Sequence, residues 1–503
     1  MVKSNGGIIG PDNVTTGGFS GVASGVFKLG EVTDLIRESK WPQVSPFPTN
    51  VTPNSARFNI ASSDYLSRTP SSAGNRKIFT YSVWIKRSKL GVAQQIIGQT
   101  TETSGNDYFR IIFDAGGTTD QLRAFSSNGS MNKITSMKFR DTSAWYHIVC
   151  AFDTTQSTAA NRNRFYVNGV EQTSFATNNN VDLNTAFEFN ITNVHTIGRK
   201  AYDNSDYFGG YMSEAVLIDG TQLTPTSFGE FNSDSGIWVP KAITGLTFGT
   251  NGFYLPFTNA SALGEDFSGE DNDWTVSNLT SIDQSTDSPS NNFATMNPLD
   301  NYYAGATFSE GNLKFVHGSS PWTYNTSTFG LSSGLWYWEM KCITANQPTI
   351  GIANRGSTAT GNYLGENAYA WSYRSAQQNV ISAGSQVVGS MSTFTDGDII
   401  SVYLDLTANK LYFAKNGTLE NSGTGISLTA PASTTHGVYF PAAGDNTSGG
   451  STTWEANFGN PSFTGTDKAD ANGYGSFEYD PSSGTFDGAS KDFLAICTNN
   501  LNL

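Results

Sequence analysis

Short runs in which apolar and polar side chains alternate dominate the chain from Arg57 onward, separated by Gly, Asn, Asp and Ser clusters. Alternation with a period of two is the signature of a strand with one buried face. Tyr81-Ser82-Val83-Trp84-Ile85 is one such run, and Tyr146, Ile148, Cys150 and Phe152 fall on one face of another. Phe165 and Val167 then lead into Asn168-Gly169, a pair that tolerates positive φ at both positions and so marks a tight hairpin. The same arrangement recurs downstream. Ile400, Val402, Leu404 and Leu406 alternate, a polar break spans Thr407 to Asn409, and Leu411 and Phe413 lead to Asn416-Gly417. Two antiparallel sandwiches of related architecture are expected.

One segment has another period. Leu29, Val32, Leu35 and Ile36 recur at helical spacing before Trp41-Pro42 stops the pattern, predicting a small helix. Two turns cannot hold an apolar stripe in water unaided, so Leu29, Val32, Leu35, Ile36 and Trp41 are expected to dock, either on the next domain or on another subunit.

Composition sharpens the all-β reading. The 503 residues contain 14% charged and 13% aromatic side chains with 52 glycines, a mixture poor in what long helices need. The formal net charge of −14 opposes phosphate backbones and anionic lipid, so neither nucleic-acid binding nor membrane insertion is expected. No Lys or Arg occurs between Lys241 and Lys314, a stretch holding Glu265, Asp266, Glu270, Asp271, Asp273, Asp283, Asp287, Asp300 and Glu310. Residues 263–300 are accordingly expected to be a solvated acidic linker. It would join a sandwich over 55–262 to a second over 301–462, with a C-terminal tail, 463–503, packed on the second. Fragments 55–262 and 300–503 are then expected to fold separately.

Cys150, Cys342 and Cys497 each sit in an apolar run, more than 150 residues apart, which predicts buried thiols and no disulfide framework or zinc site. The start lacks a secretory core and no apolar run reaches the ~18 residues of a membrane span, so a soluble protein made in a cytoplasm is expected.

Three resemblances follow from particular residues. Residues 57–238, with Trp145-Tyr146-His147-Ile148-Val149, Arg164-Phe165-Tyr166-Val167-Asn168-Gly169, Ile197-Gly198-Arg199 and Phe208-Gly209-Gly210-Tyr211-Met212-Ser213-Glu214, resemble a laminin-G or concanavalin A-like lectin/glucanase domain. Residues 302–462, with Gly334-Leu335-Trp336-Tyr337-Trp338-Glu339, Ile350-Gly351-Ile352-Ala353, Gly397-Asp398-Ile399-Ile400, and Leu404-Asp405-Leu406 through Leu411-Tyr412-Phe413-Ala414-Lys415-Asn416-Gly417, resemble a SPRY domain. Outside the sandwiches, the segment Gly25 to Trp41-Pro42, Asp273-Trp274-Thr275-Val276, Asp287 to Phe293, and Phe493 to Leu501 are similar to tailed-bacteriophage virion proteins, tail-fibre and adhesin chains above all. The resemblances imply two jelly-roll sandwiches in a virion surface protein. Residues 1–45 would attach to other virion proteins, and the assembly would be a homo-oligomer, a trimer being favoured. The host-facing ligand would be a surface glycan or protein.

Because the concanavalin A-like fold also hosts glucanases, catalysis has to be considered. A retaining glycosidase needs two carboxylates about 5 to 5.5 Å apart, hence acids at i and i+2 or i+4 of one strand face. Asp396 and Asp398 flank a glycine, Glu478 and Asp480 lie in a Gly/Pro-flanked tail, and turn carboxylates are the better reading of both. Gly330-Leu331-Ser332-Ser333-Gly334 fits G-x-S-x-G but is followed by a strand pattern where the hydrolase turn needs a helix. His147, His195, His317 and His436 are isolated from one another. A non-enzyme with no cofactor is expected. The acidic run could still hold calcium through Asp266, Asp271 and Asp273, the solvated linker being the favoured alternative.

Binding is expected at polar-aromatic loops. Tyr363 and Arg374 in the second sandwich, and Tyr202, Asp206 and Tyr207 in the first, are the candidates, while Trp371 and Tyr373 alternate like core residues. A tail fibre or appendage contacting the host is the leading reading. A capsid decoration or head-fibre protein without a ligand is second, and a carbohydrate-active enzyme third.

Overall fold

A computed structural model describes residues 51–101, 107–232, 235–317, 322–446 and 451–501, together with the strands Ile8–Ile9 and Val26–Phe27, which pair antiparallel. The helix expected over Leu29 to Ile36, and the whole stripe from Leu29 to Trp41, lie outside the described residues. The fold is all-β, with about 40% strand and 6% helix, so sheets must pack on sheets.

The first sandwich pairs two sheets. One runs in space Val170–Glu171, Asn163–Val167, Trp145–Asp153, Ile78–Arg87, Gly210–Asp219, Ser55–Phe58, Gln284–Ser285. The facing sheet runs Phe175–Asn179, Asn132–Lys138, Gln121–Ser126, Tyr108–Phe113, Gln94–Thr100, His195–Ile197, Tyr65–Arg68, Thr275–Ser277. In the second sandwich one sheet runs Thr418–Leu419, Lys410–Lys415, Ile399–Asp405, Leu335–Thr344, Thr453–Asn457, Lys314–Val316, Thr307–Ser309. Its partner runs Ser385–Gly389, Asn379–Ser382, Ala370–Arg374, Pro348–Ala353, Phe440–Asp445, Tyr324–Thr326. The central order 163–167, 145–153, 78–87, 210–219, 55–58 is matched strand for strand by 410–415, 399–405, 335–344, 453–457, 314–316. The repeat legible in two hairpins thus extends to a shared topology.

Alternation sets the cores. Phe79, Tyr81, Val83 and Ile85 turn inward with Ile148, Cys150 and Phe152, and Trp336, Trp338, Met340 and Cys342 do so with Ile400, Val402 and Leu404. Each such side chain contributes about 1.5 to 3 kcal/mol on burial. The outer faces of the same strands are covered as well. Val149, Ala151, Val216 and Ile218 lie under Phe228 and Phe248, and Tyr337, Tyr403 and Tyr412 lie under Phe477, Phe486 and Phe493 of the C-terminal segment. Cover on both sides explains why these strands are buried along nearly their whole length. All three cysteines are free and buried.

Both Asn-Gly pairs form the expected turns, with φ of 48° and 78° at Asn168-Gly169 and 47° and 78° at Asn416-Gly417. They close Val167 against Val170 and Lys415 against Thr418.

The acidic segment 263–300 departs from the solvated linker its charge suggested. Thr275–Ser277 pairs with Tyr65–Arg68, and Gln284–Ser285 with Ser55–Phe58, so the segment completes both sheets of the first sandwich. Asp287 is fully buried, with Lys86 Nζ 2.7 Å away, and Lys86 also donates to Asn292 Oδ1 at 2.7 Å and to the Phe293 carbonyl at 2.8 Å. Arg57, equally buried, donates to the carbonyls of Ile282 at 2.9 Å and Pro461 at 3.0 Å and lies 3.5 Å from Glu310. Tyr211 donates to the Gly311 carbonyl at 3.0 Å and Thr286 to the Gly459 carbonyl at 2.8 Å. The two sandwiches meet along this polar seam. A cut at 262 would remove two strands and the partner of Lys86 from the first sandwich, so the expected boundary for an autonomous fragment moves to the C-terminal side of Phe293.

Candidate ligand-binding surfaces

The carboxylates and histidines considered for chemistry are built into turns, caps and cores. Asp398 Oδ2 accepts from Thr395 N at 2.8 Å and lies 3.1 Å from Lys415, while its Oδ1 takes Asn416 Nδ2 at 2.7 Å. Asp396 accepts from Ala345 N at 2.6 Å. Glu478 takes Thr466 N at 3.0 Å and Asp480 takes Ser482 N at 2.8 Å. Glu339 is fully buried and accepts from Tyr337 Oη at 2.7 Å, Tyr479 N at 2.8 Å, Asn457 Nδ2 at 3.0 Å and Glu478 N at 3.0 Å. Burial raises its carboxyl to about 7 against the pull of those bonds, and the group clamps the C-terminal segment onto the second sandwich.

His147 stacks between Trp84 and Trp238, and burial drives its pKa down to about 3, so it is a neutral hydrogen-bonding ring. Burial likewise lowers His195 to about 4. His317 pairs with buried Asp445 at 3.4 Å, and His436 lies exposed. The sequence Gly330 to Gly334 runs into Leu335–Thr344, a strand, as its pattern required.

Asp266 uses its carboxylate as a loop staple, with Oδ1 accepting from Tyr254 N at 2.8 Å and Oδ2 from Asn272 N at 2.9 Å. Asp273 Oδ1 accepts from Asp266 N at 2.8 Å, and Asp271 sits at φ 53°. Among the described residues no group of three or more His, Cys, Asp or Glu side chains could hold a metal ion.

In the first sandwich, Tyr202 is exposed and Asp206 and Tyr207 half-buried at one end of the sheet containing Gln94–Thr100. Lys200 lies 5.5 Å over the Tyr202 ring and 2.9 Å from Asp203. Asp206 is less available than its loop suggested, because its carboxylate pairs with Arg110 and its carbonyl accepts from Gln95 N at 2.8 Å. Arg110 is bonded through Nε to Gln95 Oε1 at 2.7 Å, and burial lowers its pKa against the opposing charge of Asp206. Next to it Phe125 carries Arg123 at 4.1 Å and Arg110 at 5.5 Å from its ring centre. The result is a paired polar-aromatic face.

In the second sandwich Tyr363 is half-buried, its ring 6.1 Å from that of Trp322 at 86°. Arg374 is also half-buried and donates through Nε to Asn379 Oδ1 at 3.0 Å; burial lowers its pKa and the Tyr363 phenol opposes that shift. Trp371 and Tyr373 lie in the core. Two residues not singled out by alternation complete this region. Trp322 is 43% exposed and Tyr302 is 90% exposed, the latter packing edge-on against Tyr303 at 4.9 Å. A signal was present in Asp300-Asn301-Tyr302-Tyr303-Ala304-Gly305, where two aromatics stand among turn-forming residues, and residues 302–304 form a turn. The Asp300 carboxylate fills the space beside Gly356, and Ser357 Oγ accepts from Tyr324 N at 3.0 Å, so the 302–303 and 354–363 segments lie at the same end of the sandwich.

Comparison with known proteins agrees with this architecture. Residues 61–226 match the concanavalin A-like lectin/glucanases superfamily, and residues 335–456 match the SPRY domain. Among solved structures, the SPRY domain of human HERC1 is 21% identical, covering 29% of this chain and 87% of its own, with a TM-score of 0.24. The heptameric SAP-like pentraxin from Limulus polyphemus is 15% identical over 35% of this chain and 80% of its own, with a TM-score of 0.27. The TRIM65 PSpry domain is 13% identical over 33% and 91%, with a TM-score of 0.26. The chain therefore carries a concanavalin A-like sandwich followed by a SPRY sandwich.

Proposed function

We propose that this chain is a non-enzymatic binding protein of a bacteriophage virion surface, a tail fibre or similar appendage that contacts a host-surface glycan or protein. The observation that carries the binding part is the aromatic end of the second sandwich, where Tyr302 stands 90% exposed and Trp322 43% exposed beside Tyr363. Large rings held in water at one end of a rigid scaffold are the side chains that anchor interfaces, since they bury much area at little entropic cost. The virion part rests on the resemblance of the segments outside the sandwiches to tail-fibre and adhesin chains. On that reading residues 1–45 attach the chain to other virion proteins, and a homotrimer presents several copies of the binding end. No cofactor is invoked, and calcium at Asp266, Asp271 and Asp273 would compete with the four hydrogen bonds that the Asp266 carboxylate already accepts, from Tyr254 N, Ser268 N, Ser268 Oγ and Asn272 N.

A capsid decoration or head-fibre role is the second reading, and one observation favours it: Asp206 and Arg374, expected at ligand loops, are engaged within their own sandwich. Phage carrying Tyr302→Ser and Trp322→Ser separates the two. Host adsorption should fall at least about tenfold while the protein stays on the particle and melts normally. Unchanged adsorption would reject the aromatic end as the receptor contact, and antibody labelling of the head would assign the decoration role. Loss of the protein from particles on deleting residues 1–45 tests the attachment segment.

A further inference from the structure

The buried ion pair of the seam has a third member. Lys86, near the end of the strand Ile78–Arg87, is 1% exposed, and its Nζ lies 2.7 Å from Asp287 Oδ2, 2.7 Å from Asn292 Oδ1 and 2.8 Å from the Phe293 carbonyl. An amine, a carboxylate and a carboxamide thus converge on one nitrogen. Both partners are held in place. Asn292 turns its oxygen to Lys86 while its Nδ2 donates to the Ser143 carbonyl at 2.7 Å. Asp287 Oδ1 accepts from Trp145 Nε1 at 3.0 Å and from Phe293 N at 3.3 Å, which leaves Oδ2 facing the amine.

This is the set of groups that amide exchange needs: a nucleophile kept from water, a carbonyl carbon bearing a leaving nitrogen, and an acid–base group touching the nucleophile. Burial lowers the Lys86 pKa against the opposing charge of Asp287, so the free amine is easier to reach than on a surface lysine. Fixing amine and carboxamide side by side removes the entropic part of the barrier, which in well-oriented intramolecular reactions is worth many orders of magnitude in rate. Lys133 supplies the contrast. It is also buried, and its bonds among the described residues go to the Asn163 carbonyl at 2.7 Å and to Asn180 Oδ1 at 3.3 Å, with no carboxylate to take a proton.

We propose that Lys86 and Asn292 join in an intramolecular amide crosslink, with Asp287 carrying the protons. The ion pair is the state from which the bond forms. Asp287 Oδ2 takes a proton from the Lys86 ammonium, and the free amine pair attacks Asn292 Cγ, so that an N–C bond forms and the carbonyl π pair moves onto Oδ1. When the carbonyl re-forms, the Cγ–Nδ2 bond breaks. Two protons pass from Nζ by way of Asp287 to the departing nitrogen, one completing ammonia and one making it ammonium. Asp287 ends as a carboxylate and Lys86 keeps a single N–H. One amide replaces another, and no activated co-reactant is required. Asn292 borders a cleft of about 330 Å³ that it shares with Trp84, Trp145, Trp238 and the hairpin of Gly229–Phe231 and Trp238–Pro240, and the rim residue Phe231 is 54% exposed, so the ammonia has a way out. The crosslink is independent of the receptor contact proposed above.

Mass spectrometry of the purified full-length protein tests this. The intact mass should fall below the sequence mass by about 17 Da, one ammonia, in a fraction that grows on incubation. Trypsin should release a branched peptide joining residues 78–87 to residues 242–314, because acylated Lys86 resists cleavage and no Lys or Arg lies between Lys241 and Lys314. Fragmentation should place the branch between Lys86 and Asn292. Lys86→Arg, which keeps a cation for Asp287, and Asn292→Ala, at a half-buried position, should each show the full mass and no branched peptide. Either variant suffices if the other misfolds. A full mass after prolonged incubation of the native chain would overturn the proposal. So would a loss of about 17 Da without a branched peptide, the mark of a succinimide at an Asn-Gly pair, or a loss of about 18 Da with the branch at Asp287.

Discussion

Asn416 closes two hydrogen bonds on Ile399, its N–H to the Ile399 carbonyl at 2.9 Å and its Oδ1 from the Ile399 N–H at 2.9 Å. Asn168 does the same to His147, at 2.9 Å and 2.8 Å. Each Asn-Gly pair therefore turns its hairpin and also fastens it to the neighbouring strand. Replacing Asn416-Gly417 by Val-Val would force β-branched residues to positive φ and delete the side-chain bond. The second sandwich should lose roughly 2 to 4 kcal/mol, read as a lowered urea midpoint with an unchanged slope. An unaltered midpoint would show that the turn is not a determinant of stability.

Lys86→Met leaves Asp287 buried without its cation and should cost about 3 to 5 kcal/mol, whereas the double variant Lys86→Met, Asp287→Leu should recover much of that loss. Calorimetry of both variants checks the pair. Equal destabilisation by the single and double changes would count against it.

Fragment boundaries test the seam from the other side. A fragment of residues 51–300 should melt cooperatively, and one ending at 262 should melt lower or aggregate, because Thr275–Ser277 and Gln284–Ser285 are sheet strands. Identical melting of the two would mean that these strands add nothing.

Glu214 sits at φ 52° on a bulge of the central strand, hydrogen-bonded with Tyr254, and burial raises its carboxyl to about 8. The folded chain then holds this proton more tightly than the unfolded chain. Its contribution is fully present below about 4.5 and is lost as pH climbs to about 8, with a slope of at most roughly 1.4 kcal/mol per pH unit. Asp64, raised by burial to about 6, and Glu339, raised to about 7, act in the same direction at lower pH. Glu214→Gln should therefore make the stability profile shallower across the whole range from about pH 4.5 to about 8, followed by urea unfolding across that range.

The sheets were legible because alternation is local: Ile148, Cys150 and Phe152 face one core whatever else the chain does. The turns were legible because Asn-Gly has few other uses. The acidic segment departs from the linker its charge suggests because a high density of carboxylates does not by itself imply solvation. Asp287 is buried because Lys86, 201 residues earlier, and the Trp145 indole meet it there, and such pairings leave no trace in either neighbourhood. A cleft on the first sandwich lined by Trp84, Trp145 and Trp238 was hidden for a related reason. Trp84, Trp145 and Trp238 each look like strand residues, and only the covering hairpin decides that they border a cavity.

The seam also fixes a distance. With the segment after residue 262 woven into the first sandwich and Arg57 reaching to Pro461 across the join, no flexible tether separates the Tyr202 loop of the first sandwich from the Tyr302 end of the second. A ligand held at one presents the other in a set direction. Two-point attachment is then possible only to a surface whose own spacing matches, and a mismatched surface can be held at one point alone.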